Sequence, residues 1–281
     1  YLNLGVCFSK KLKKGHIPEG VTSLVCPVNF FKEEFINYMP KSLKHLILTA
    51  ELFQKETTKT IFIPKSVTNL YLNQDEIIIV AENIKYLTFG YYFNRKLEYS
   101  VIPNSVTHLN LNYFNRTLKP GVIPNSVTHL TFGHFDQKLK SGDIPNSVTH
   151  LTFNYFNQQL KPGDIPNSVT HLTFVLFNQI LKPGDIPNSV THLIFNYFNH
   201  EIEEDIIPNR VIYLKLGFNY DLKKVKCNCY INTEDNENIT NFIMNGINKQ
   251  IFFEDLVKKY MHPDNIVKYI KFYGENFDDL I

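Results

Sequence analysis

Five histidines, His108, His129, His150, His171 and His192, recur every 21 residues, and in the central copies a threonine follows two positions later, at Thr131, Thr152 and Thr173. An imidazole that titrates near neutrality can act as an acid, a base, a metal ligand or a hydrogen-bond partner. Acid–base or nucleophilic catalysis needs a second group, a nucleophile or paired carboxylate, held by the same site. Here each histidine has only the same Thr-rich neighbours, copy after copy, so an enzyme is not expected. A structural or catalytic metal needs ligands that converge, whereas one histidine per repeat projects in parallel. Neither a metal nor a cofactor is therefore expected. The remaining chemistry is a polar row, each neutral imidazole bonding its counterpart in the next repeat or a flanking threonine, with edges left over for a partner. Charging such a row would make its members repel, which predicts sensitivity to acid.

The row is positioned by a repeat. Prolines at 103, 124, 145, 166, 187 and 208 are 21 residues apart, and IPNSVTHLTF recurs unchanged from Ile123, Ile144 and Ile165, with small changes from Ile102 and Ile186. Weaker copies are anchored at Pro18, Pro40, Pro64 and Ala81, giving ten anchors. Around Leu130 the pattern alternates: Leu130 and Phe132 fall on one face of a strand, His129 and Thr131 on the other. Pro124, Asn125 and Ser126 supply a corner before it. Lys161, Pro162, Gly163 and Asp164 form a second corner with the residues a type II turn prefers, repeated at 119–122 and 182–185, with Ser141 replacing proline in the copy between.

Two corners and a strand in 21 residues describe one coil of a right-handed solenoid, too small to bury its apolar residues without neighbours. Stacking places Val127, Leu130, Phe132, Phe135, Leu139 and Ile144 over their equivalents, each large side chain contributing roughly 1.5–3 kcal/mol on burial. The column from Phe114 through Phe135, Phe156 and Phe177 to Phe198 is read as a core spine. Beside it Asn115, Asp136, Asn157, Asn178 and Asn199 are expected to bond the backbone of the adjacent coil. Positions that vary on the fixed frame are the ones that could encode a partner: Tyr113, His134, Tyr155, Leu176 and Tyr197 just after the strand, with Tyr113, Tyr155 and Tyr197 bordering the recognition face.

The unit from Ile123 to Asp143 resembles the FNIP repeat, named for pairs such as Phe156–Asn157 and Ile165–Pro166. The resemblance implies a leucine-rich-repeat-like stack whose parallel strands line a concave face, and a source among social amoebae or the giant viruses that infect amoebae. Some members of that family carry an F-box ahead of the repeats and resemble ubiquitin-ligase adaptors, which implies a link to that machinery; no F-box helix pattern precedes Pro18. The function expected is a non-enzymatic protein-interaction scaffold, with a purely structural or virion-associated repeat protein as the alternative.

The chain has 281 residues and a net charge of +2 from 29 Lys and Arg against 27 Asp and Glu, too balanced to draw nucleic acid by a long-range field. No run of about 18 apolar residues would span a membrane, and no leader pattern is present, so a cytoplasmic protein is expected, in the host cytoplasm if viral. Cys7, Cys26, Cys227 and Cys229 match neither a disulfide framework nor a zinc spacing and read as reduced thiols. Residue 1 is Tyr, inside a repeat, so further sequence is expected upstream. The solenoid is assigned to 1–222. Residues 223–281 change composition and are read as a separate capping segment: a strand-like piece at 224–231, then FEDLVKKYM and PDNIVKYIKFYG with helical spacing, shielding the end of the stack.

Overall fold

The computed structural model describes residues 1–233 apart from short segments at 6–7, 9, 11, 29–36, 50–58, 74–76, 82, 204, 218–219, 222–223 and 225–230. The two helices expected of the cap, and the residues Cys7, Cys227 and Cys229, lie outside the described residues. The architecture is a β-solenoid whose coils each contribute one short strand to a single parallel sheet. Twelve strands follow one another in the order β1 (Leu2–Asn3), β2 (Ser23–Pro27), β3 (His45–Thr49), β5 (Asn69–Leu72), β7 (Tyr86–Phe89), β8 (His108–Leu111), β9 (His129–Phe132), β10 (His150–Phe153), β11 (His171–Phe174), β12 (His192–Phe195), β13 (Tyr213–Leu216) and β14 (Ile231–Thr233). A separate parallel pair, β4 (Lys59–Phe62) with β6 (Ile77–Val80), comes from the coils just ahead of the Pro64 and Ala81 anchors, where the repeat spacing departs furthest from 21. Each of the ten sequence anchors is followed by a strand of the large sheet, and β1 and β14 extend it at either end. Of the strand-like piece expected at 224–231, residues 225–230 lie outside the described residues, and Ile231–Thr233 form a strand paired with β13.

Register follows from the alternation. Leu109, Leu130, Leu151, Leu172 and Leu193 pair in line through successive strands, and so do the histidines before them. Sliding any strand by one residue would put its leucine in water and its histidine in the core. The core is a set of apolar columns: Val127, Leu130, Phe132, Phe135, Leu139 and Ile144 and their equivalents are all buried. The phenylalanine spine is continuous, with ring centroids 6.1 Å apart between Phe114 and Phe135 and 6.2 Å between Phe156 and Phe177. A second column, Phe132 to Phe195, runs beside it at 5.3–5.5 Å. The two columns interlock, Phe153 lying 4.7 Å from Phe156. Buried rings tiled in this way supply most of the apolar area that joins one coil to the next.

The corners take the geometry their residues prescribe. Gly121, Gly142, Gly163 and Gly184 all have φ between 83° and 89°, the left-handed value that the third residue of a type II turn requires. Their turns close through the amides of Val122, Asp143, Asp164 and Asp185. The Asp side chains turn to the backbone of the same corner. Each carboxylate accepts a hydrogen bond from the backbone N–H of the corner's lysine, at 2.8–2.9 Å, and Asp143, Asp164 and Asp185 are buried. Burial outweighs that bond and the lysine's charge, pushing the three carboxyls above the usual aspartate range. The asparagine column bonds the adjacent coil's backbone, as expected. Asn115 Oδ1 accepts from the Asp136 amide at 2.9 Å, Asp136 Oδ1 from Asn157 at 2.8 Å, and so on to Asn199. The column starts one coil earlier than the sequence indicated, at Asn94, which accepts from the Asn115 amide.

Candidate functional site

The five histidines form one stacked ladder on the outward face of β8 to β12. Adjacent rings lie 4.1–4.2 Å apart and within 10–14° of parallel. The parallel register delivers them one above the other, since a strand spacing of about 4.8 Å is close to ring-stacking distance. Two tyrosines that sequence reasoning did not single out terminate the ladder: Tyr86 packs tilted against His108 at 4.3 Å, and Tyr213 lies 5.8 Å from His192. Both were detectable as the residues occupying the histidine position in neighbouring copies.

What fixes each ring is the threonine before it, not its counterpart in the next coil. Thr107, Thr128, Thr149, Thr170 and Thr191 place their Oγ1 atoms 2.9–3.0 Å from the following histidine's Nδ1. The same hydroxyls reach the carbonyl of the residue one coil back, Thr128 Oγ1 to Thr107 O at 3.2 Å and Thr191 Oγ1 to Thr170 O at 3.1 Å. A hydroxyl has one proton, and a carbonyl can only accept. The tautomer that satisfies both contacts therefore carries its proton on Nδ1, donates to threonine, and leaves Nε2 as an acceptor. Among the described residues no protein group bonds these Nε2 atoms, and none of them is buried.

The second row, Thr131, Thr152 and Thr173, is half-buried beside the ladder and in register with it. Together the rows line a shallow groove of ≈ 220 Å³ over His150, Thr152, His171, Thr173, His192, Ile194 and Tyr213. A larger, more open depression of ≈ 560 Å³ lies at the corners around Gly121, Asn125, Gly142, Pro145 and Ser147. It holds no ionisable side chain, so the chemistry of the surface is concentrated on the ladder face.

The corner row divides. Tyr113 stacks on His134 at 4.3 Å and His134 on Tyr155 at 4.2 Å, and Tyr91, missed from the sequence, continues the stack edge-on at 4.4 Å from Tyr113. Leu176 interrupts it before Tyr197. The three expected tyrosines are 37 %, 48 % and 58 % exposed.

Desolvation, followed by repulsion from other ladder imidazoles, lowers the pKa of His108, His150, His171 and His192. The rings are held neutral near pH 7, ready to accept hydrogen bonds. Parallel Nε2 lone pairs cannot converge on one tetrahedral ion, and among the described residues no group of three His, Cys, Asp or Glu is arranged to hold a metal. Cys26 is a free, buried thiol pushed up to about 12 by desolvation, inert as a nucleophile.

The FNIP Repeat family model matches residues 8–50, 75–114, 93–135, 114–155, 135–175 and 177–219. A search of curated protein sequences gives no match. Among solved structures the chain is similar to CroV588 of the giant virus CroV, described as a novel circular leucine-rich-repeat protein, at 37 % identity and a TM-score of 0.56, over 70 % of this chain and 30 % of that one. The chain thus spans about a third of the length of that relative. It is also similar to the leucine-rich-repeat-containing protein LegL7 of Legionella pneumophila, at 17 % identity and a TM-score of 0.45, over 88 % of this chain and 94 % of the other.

Proposed function

Since the chain belongs to the FNIP repeat family, built as a leucine-rich-repeat-like solenoid, we propose that it is a non-enzymatic scaffold that recognises a protein partner. The contact surface is the ladder face with its bordering tyrosines. The observation that carries this reading is the run of accessible, protein-unpartnered Nε2 acceptors beside the exposed rings of Tyr113, Tyr155 and Tyr197. A stack that needed its histidines only for cohesion would have no reason to leave an acceptor free on every coil, because an unused polar edge adds nothing to stability. The phenylalanine, asparagine and aspartate columns and the threonine hydroxyls hold the coils together without using Nε2.

Repeat frames of this kind vary a few positions on a constant scaffold to choose partners. The varied positions here, Tyr113, His134, Tyr155, Leu176 and Tyr197, line one edge. Tyrosine contributes area and a hydroxyl at small entropic cost. Substrate selection for a ubiquitin ligase is the form that recognition takes in the F-box members the repeat resembles, and the cytoplasm is where it would act.

The test is affinity capture from eukaryotic cell lysate with the chain as bait, read by quantitative mass spectrometry. A partner retained by the unaltered chain and lost with Tyr113→Lys, Tyr155→Lys and Tyr197→Lys combined supports the reading. Undiminished recovery with that triple variant would remove the tyrosine border from it.

A further inference from the structure

We propose that the ladder face binds an acidic polypeptide segment and takes up protons as it does so, the stacked histidines being the groups that accept them. The inference rests on the recognition role of this face and names the partner's chemistry.

The charge distribution carries it. From β7 to β13 the outward strand positions supply aromatic rings in one row and Thr88, Asn110, Thr131, Thr152, Thr173, Ile194 and Lys215 in the next. None is Asp or Glu. The residues preceding the ladder positions run from the exposed Lys85 through five threonines to Ile212. The titratable groups facing the ladder are thus Tyr86 and Tyr213 at its ends, Lys85 and Lys215 beside them, and Tyr113, His134 and Tyr155 along the corner. Among the described residues these strand positions carry no carboxylate, although the chain has 27 acidic residues.

A row of imidazoles at stacking distance with no internal counter-ion repels itself when charged, and each ladder histidine whose titration is displaced is perturbed, after burial, only by other ladder histidines. An external carboxylate reaching Nε2 relieves that repulsion. The Nδ1–H of each ring stays committed to its threonine in either charge state, so protonation adds an outward Nε2–H donor without moving the ring. The neighbouring threonine hydroxyls can donate to the same anion. Binding and protonation then favour one another, as linkage requires.

The experiment is fluorescence anisotropy of a labelled deca-glutamate peptide at constant ionic strength between pH 7.5 and 5.5. For the unaltered chain the affinity should rise at least about tenfold across these two pH units, the change produced by an average net uptake of about half a proton, since each proton taken up contributes a factor of about ten per pH unit. The rise should persist in Lys140→Gln/Lys161→Gln/Lys182→Gln, which removes the basic corner row, and flatten in His129→Gln/His150→Gln/His171→Gln. The single variant His150→Gln should lose part of it and serves if the triple variant fails to fold by circular dichroism. An affinity independent of pH, an undiminished rise in the histidine variants, or tighter binding of deca-lysine or of an oligonucleotide of equal charge would overturn the proposal. A tyrosine-dependent partner captured at pH 7.5 without any deca-glutamate response would leave the recognition reading standing and remove this one.

Discussion

Thr149 Oγ1 lies 2.9 Å from His150 Nδ1 while donating to the Thr128 carbonyl one coil back, at 3.2 Å. One hydroxyl therefore joins two coils and orients a ring, and the arrangement recurs from Thr107 to Thr191. Thr149→Val keeps the side-chain shape and removes the hydroxyl. It should cost about 1 kcal/mol, the net worth of a hydrogen bond, and lower the melting temperature by about 2–4 °C, whereas Thr149→Ser should restore most of that loss.

Acid should weaken the stack. His108, His150, His171 and His192 bind protons less readily in the folded chain than in the unfolded one, whose imidazoles titrate near 6.5. Their contribution is complete above that value and declines as the pH falls below it, the unfolded state then holding more protons. The melting temperature should be lower at pH 5.5 than at pH 7.5, and the difference should shrink in His150→Gln/His171→Gln. Equal midpoints at the two pH values would contradict the stacked arrangement. The buried aspartates act with the opposite sign, because the folded state binds protons to them more readily than the unfolded one, so the histidine variants, compared at the same two pH values, isolate the ladder.

The same burial predicts a stabilising substitution. After burial, the charge of Asp164 further raises the pKa of Asp143 and of Asp185, and Asp185 Oδ1 is buried without a hydrogen-bond partner. Asp164→Asn removes one charge from the column and keeps an oxygen for the Lys161 amide. A rise in melting temperature of about 1–3 °C at pH 7.5 is expected in differential scanning calorimetry, and a fall would show that the charge itself is needed at the corner.

Phe156 touches a ring on every side of the spine, Phe135 and Phe177 at 6.2 Å and Phe153 at 4.7 Å. Phe156→Ala should cost about 3–5 kcal/mol, read as a reduced urea midpoint. Phe156→Leu should cost far less.

Much of this geometry is legible in the residues. Period-2 alternation at Leu130 and Phe132 and the 21-residue spacing together dictate parallel strands in register, and with them the histidine ladder, the phenylalanine spine and the asparagine column. Less legible are contacts whose partners lie one coil away or whose direction depends on backbone torsion. Asp143, Asp164 and Asp185 follow a lysine three residues earlier and suggest a surface ion pair, but the left-handed glycine turns each carboxylate inward onto a backbone amide. Thr128 differs from Thr131 only in lying before the strand, yet it orients the ring, because only there can its hydroxyl meet both Nδ1 and the preceding coil's carbonyl. Tyr86 and Tyr213 escaped notice because they replace histidine at the ladder's ends, where residue identity breaks and position persists.

The claim on which the rest depends is that the five imidazoles present Nε2 lone pairs in a row. Two-bond ¹H–¹⁵N correlation spectra of the histidine-labelled chain at pH 7.5, followed down to pH 5, measure it directly. Neutral Nδ1–H tautomers for His108, His129, His150, His171 and His192, with the four displaced members titrating below the ordinary histidine value, are predicted. Nε2–H tautomers with ordinary titration would contradict the ladder and the recognition face built on it.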